Sequence, residues 1–155
     1  VDLRWWRLGM EMLFVLSAII VLKIWVFPFF ISIWFPADDL AAMLQEWTVI
    51  MVGIITCFIY LGLGSSAKHV YQLSKREAAA VFLTVHFPVV LWAGELYETW
   101  VGLIKDLVQL FLSPSSLYGI YFLTACFALF LLGRGIRVKD EQQMNDKVLV
   151  KRKNS

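Results

Sequence analysis

Residues 12–35 read MLFVLSAIIVLKIWVFPFFISIWF, and Lys23 is the one charged residue in the run. At about 1.5 Å of rise per residue, a helix of this length exceeds the ~30 Å thickness of a bilayer core. Lipid offers the backbone no hydrogen-bond partners, so a helix is the form such a run takes when it spans. Three more apolar runs follow, at 47–64 (WTVIMVGIITCFIYLGLG), 78–94 (AAAVFLTVHFPVVLWAG) and 117–133 (LYGIYFLTACFALFLLG). Composition agrees: 60% of the 155 residues are apolar and 17% charged, with seven tryptophans and twelve phenylalanines of the kind that gather at bilayer interfaces. The expected fold is all-α and integral to a membrane, with four transmembrane helices in two hairpins. Residues 1–137 would form the helical domain and 138–155 a polar, basic tail.

Orientation follows from the cations. Arg4 and Arg7 precede the first run, Lys68, Lys75 and Arg76 lie between the second and third, and seven more follow the fourth, from Arg134 to Lys153. The alternate connections hold Asp38, Asp39, Glu46, Glu95, Glu98 and Asp106 against Lys105 alone. The bias of Lys and Arg toward the cytoplasmic side then puts both termini in the cytoplasm. The first run is too long for a signal-peptide core and is read as an uncleaved span. The tail, VKDEQQMNDKVLVKRKNS, is polar and lacks Gly and Pro. A segment of that kind takes a fixed place when something holds it, which points to a partner.

Residues 94–111, GELYETWVGLIKDLVQLF, sit between two apolar runs yet carry four charges. At ~100° per residue, Glu95, Glu98, Gly102, Lys105, Asp106 and Gln109 fall in one stripe, and Trp100, Leu103, Ile104 and Leu107 lie opposite. The segment is an amphipathic helix on the outer side, ended by SPSS at 113–116. Either it lies flat with its apolar face in lipid, or it extends the third span and turns its charges to a partner or a cavity. Glu95 and Glu98 stand side by side, but nothing else in the chain completes a hydrolytic site with them.

Lys23 lies deep in the first run, where an ammonium costs at least ~2.5 kcal/mol. It should pair with a carboxylate or reach an interface. Lys23, Glu95, Glu98, Lys105 and Asp106 are therefore the candidates for a polar path or a partner contact. His86 reads as a packing residue beside a kink at Pro88, and Pro28 is expected to bend the first span. Gly53 with Cys57, and Thr124 with Ala128, each stand four apart and permit close helix contact. The two cysteines form no CxxC pair, so a disulfide or a zinc site is not expected. No catalytic residue, metal ligand, cofactor or nucleic-acid partner is expected either.

The order of short motifs adds a family resemblance. DLRWW leads into the first run, an acidic loop precedes the second, LSKRE opens the third, and ETW then SPSS lie ahead of the fourth. In this layout the chain resembles the C subunit of the copper membrane monooxygenases, the particulate methane and ammonia monooxygenase family. That family carries metal-binding Asp and His around a Thr-Pro-Ser/Ala-His segment. Here Ser113, Pro114, Ser115 and Ser116 stand in its place, serine falls where the histidine would be, and the family's further C-terminal spans are missing. The resemblance implies a shortened, metal-free relative in a structural role. Together with the tail, it leads to the expectation of a non-catalytic subunit that packs within and stabilises a larger membrane complex. The alternative is a homo-oligomeric channel or transporter that uses Lys23 and the polar stripe of 95–106.

Overall fold

The computed structural model describes residues 3–36, 39–91, 94–109 and 119–136. The tail of 138–155, the SPSS segment and Asp38 lie outside the described residues. Among the described residues every regular element is a helix. α1 (Leu3–Val21) runs through a π-helical turn (Leu22–Val26) into α2 (Phe27–Trp34), so the first apolar run and its basic approach form one continuous helix. Pro28 accounts for the π turn. It has no N–H to give to the carbonyl four residues back, and its ring crowds that carbonyl. The preceding turn widens, and the Phe27 N–H bonds to the carbonyl of Leu22, five residues back.

α3 (Asp39–His69) is the longest helix and the hub of the fold. It begins with an acidic residue and ends with Lys68 and His69, both suited to the helix dipole. The acidic approach to the second run is thus already helical, not a loop. The reversal to α4 (Lys75–Leu91) takes residues 70–74, with Gln72 in the left-handed region at φ 51°. SKRE at 74–77 makes a capping box: Ser74 N–H donates to Glu77 Oε2 at 2.6 Å, and Glu77 N–H donates to Ser74 Oγ at 3.3 Å. Tyr71 in the same reversal donates to Glu11 Oε2 on α1 at 2.7 Å. α4 continues through Pro88 without a break in the helix. α5 (Glu95–Gln109) and α6 (Gly119–Gly135) complete the set.

The helices pair mainly across the expected hairpins. α3 packs most extensively on α6, then on α5, and α1 packs on α4. α3 and α6 run parallel, with Gly64 against Phe130 and, farther along both helices, His69 against Ile136. A Cβ on Gly64 would stand 1.9 Å from the Phe130 carbonyl oxygen, and one on Gly133 would stand 2.0 Å from that of Leu61. Here glycine is required, because the obstacle on each side is backbone. The expected small-residue pairs fare unevenly. Gly53 does meet α5, where a Cβ would lie 2.8 Å from Leu107 Cβ, but Thr124 and Ala128 are both exposed. Both cysteines are free.

Among the described residues two helices are long and apolar enough to cross a membrane, Leu3–Trp34 and Asp39–His69. α4 and α6, at 17 residues each, fall short of that length.

Candidate functional site: a lysine–aspartate pair between three helices

Lys23 lies in the π turn and reaches α5. Its Nζ donates to Asp106 Oδ2 at 3.0 Å and also to the Gly102 carbonyl. Gly102 and Asp106 are one turn apart on α5, so a single ammonium bridges both. The lysine side chain is 16% exposed and the aspartate 39%. This pair is partly solvated, so it carries less of the desolvation penalty that a fully buried pair would suffer.

α5 comes close enough for this because Gly53 opens a groove on α3. Trp100, Val101, Leu103 and Ile104 are all buried, so the apolar face of α5 packs against protein. A helix lying flat with that face in lipid is thereby corrected. The polar stripe also divides. Gly102 and Asp106 meet Lys23, whereas Glu95, Glu98 and Lys105 are exposed and do not join the pair.

Two clefts adjoin the pair. One, of about 530 Å³, is bounded by Ala42, Gln45, Glu46, Val49, Ile50 and Asp106. The other, of about 220 Å³, lies along α2 and α3 between Lys23, Phe27, Ile31, Gln45 and Thr48. Gln45 and Val49 line both. Sequence reasoning missed Gln45, Glu46 and Thr48, since only the docking of three helices puts them beside Asp106. The clefts offer carboxylate oxygens, an amide and an ammonium, which suit water, a small cation or a polar group from another helix. Thr48 Oγ1 is turned back to the Leu44 carbonyl at 2.8 Å, which ties its hydroxyl down. Among the described residues, no three His, Cys, Asp or Glu side chains come together as a metal site.

A second polar group lies in the core. His86 Nδ1 is 2.9 Å from the Phe82 carbonyl, which can only accept, so Nδ1 carries the proton. The bare Nε2 accepts the Tyr60 hydroxyl at 2.8 Å, and Tyr60 Oη accepts Trp100 Nε1–H at 3.0 Å. His86 stacks on Phe82 at 4.1 Å, and Trp100 meets Phe122 edge-on at 4.5 Å. Every polar atom of this chain has a partner, and all three side chains are at most 3% exposed. His86 thus packs as expected, but its partners are Tyr60 and Trp100, neither of which sequence reasoning singled out.

No protein-family model, no curated protein and no solved structure matches this chain.

Proposed function

We propose that the chain is an integral membrane subunit that does no chemistry of its own and packs within a larger membrane assembly, which it stabilises. The observation that carries this reading is the surface of the first helix. Only 11% of its most apolar stretch is buried within the bundle, against 33% for α3. Trp25, Phe29, Phe30 and Trp34 are exposed together at its far end. Lipid covers such a surface, and so does a neighbouring subunit whose aromatic residues interleave with it. In this reading the polar groups of the core are consumed internally: Lys23 by Asp106, and His86 by Tyr60 and Trp100.

The finer arrangement belongs to the same proposal. The chain crosses four times with both termini cytoplasmic, α4 and α6 being the third and fourth crossings and α5 lying in the outer half. The asymmetry of the cations supports this, as does the parallel run of α3 and α6, which an intervening return crossing requires. If the resemblance in motif order reflects kinship, the assembly is of the membrane-monooxygenase type. Purification from its native membrane in mild detergent, followed by mass spectrometry of co-purifying chains, tests the proposal. Defined partner subunits at fixed stoichiometry are expected, and a lone monomer sinks it.

The clefts beside Lys23 and Asp106 favour one other reading, a homo-oligomeric channel or transporter. In a single copy the polar surface stops at buried Leu103, Trp100 and Tyr60, so a path needs several copies. Ion flux in liposomes that is lost in Lys23→Met would decide for that reading.

A further inference from the structure

The glycine crossing of α3 and α6 does more than pack two helices. It holds the backbone of Arg134 beside α3, 3.2 Å from where a Gly64 Cβ would be. The Arg134 side chain then runs beneath the 70–74 reversal, where Nη2 donates to the Leu73 carbonyl at 2.9 Å. Its other terminal nitrogen, Nη1, is buried and has no hydrogen-bond partner among the described residues. The whole residue is only 9% exposed. Buried guanidinium nitrogens are seldom left unpaired, because withdrawing a charge from water is costly unless an anion or acceptor replaces the water.

Arg134 lines a cavity of about 390 Å³ together with Lys68, Lys75, Leu131 and Gly135. Lys68 stands one turn beyond Gly64 on α3, and Lys75 opens α4. Three cations from three helices meet there, and among the described residues no carboxylate lines the space. The size falls in the range of small-ligand sites, about 300–1,000 Å³. A guanidinium with one fork free is suited to phosphate oxygens, and basic pockets between helices at the cytoplasmic face take phosphate headgroups.

We propose that this cavity is a phosphate-binding site, in which Arg134, Lys68 and Lys75 close on an anionic phosphate group supplied by a lipid headgroup or by soluble phosphate. The site needs no partner subunit, so it goes beyond the assembly role and can fail independently of it.

Native mass spectrometry of the full chain in mild detergent, with equal phosphatidylglycerol and phosphatidylcholine, tests the lipid source. Equilibrium dialysis with inorganic phosphate tests the soluble one. One retained phosphatidylglycerol per chain, in preference to phosphatidylcholine, supports a headgroup site. Saturable inorganic phosphate without lipid preference supports a soluble anion. In either case Lys68→Gln and Lys75→Gln should each weaken binding about fivefold, and Arg134→Gln should abolish it. Arg134→Gln also loses the Leu73 bond, so the double variant of the exposed lysines decides if that protein misfolds. Binding that is unchanged in the lysine double variant, or absent for both probes, overturns the proposal. So does binding that emerges only when Asp140 and Glu141 are neutralised, because the cavity would then be a clamp for the chain's own carboxylates.

Discussion

Lys23 shows how far a single residue can be read before the fold is known. An ammonium in an apolar run demands a carboxylate or a route to water, and that much follows from its position. Which carboxylate answers depends on the groove at Gly53: Gly53 marks a place for close contact in the sequence, but nothing local says which helix arrives there. Asp106 was one of six acidic residues in the two acidic connections, and no spacing along the chain distinguishes it. If the pair is a real constraint, Asp106→Asn leaves the lysine without its counter-charge and should cost about 2 kcal/mol. Lys23→Met in the Asp106→Asn background should return most of that loss, and a double-mutant cycle of unfolding in detergent reads the coupling directly. Additive losses would show that the two charges do not depend on each other. Tyr60 poses the complementary case, where no charge is involved. Tyr60→Phe keeps the ring but strands His86 Nε2 and Trp100 Nε1, so it should destabilise by about 1–3 kcal/mol, measured in the same unfolding assay.

Among the elements, α3 and α6 depend on contacts that no repeat announces. Gly64 and Gly133 stand in different helices, 69 residues apart, and neither belongs to a small-residue pair at four-residue spacing. Thr124 and Ala128 do satisfy that spacing, yet they face outward, because spacing marks a permissive surface without saying what covers it. Gly64→Ala drives a methyl into the Phe130 carbonyl, so it should cost about 3 kcal/mol or more and separate the helices. Gly62→Ala, two residues away with nothing within 4 Å of the new Cβ, should gain up to about 1 kcal/mol from helix propensity. Equal effects at the two positions would remove the crossing as the determinant. The start of α4 was more legible, since SKRE carries a capping box in its own letters. There the Ser74 backbone N–H, with help from its side chain, holds the Glu77 carboxyl below its ordinary pKa. The sign follows directly. The cap contributes fully above the ordinary glutamate range and is lost as pH falls through the lowered value. The protection of the amides in the first turn of α4, taken relative to their intrinsic exchange rate at each pH, should therefore fall in acid, and Glu77→Gln should remove that change in protection.

For the whole molecule, the helical class could be read from the four apolar runs, and two of them lie in helices long and apolar enough to cross a membrane. The partnering of helices could not. α3 pairs with α6 and α1 with α4, and such pairings depend on surface shape at single glycines. The side on which each connection lies is a separate matter, carried by the lopsided distribution of Lys and Arg. It can be tested on two exposed positions that the proposed topology sets on opposite faces, Lys75 at the head of α4 and Glu98 on α5. Single cysteines at each, labelled in intact cells with a membrane-impermeant maleimide, should respond differently. Glu98→Cys is expected to react at once, and Lys75→Cys only after permeabilisation. The wild-type chain, with its two cysteines inside helices, supplies the unlabelled control. If both positions react from the same side, α4 does not cross. Parallel α3 and α6 could then both be spans only if α5 made the return crossing in its place.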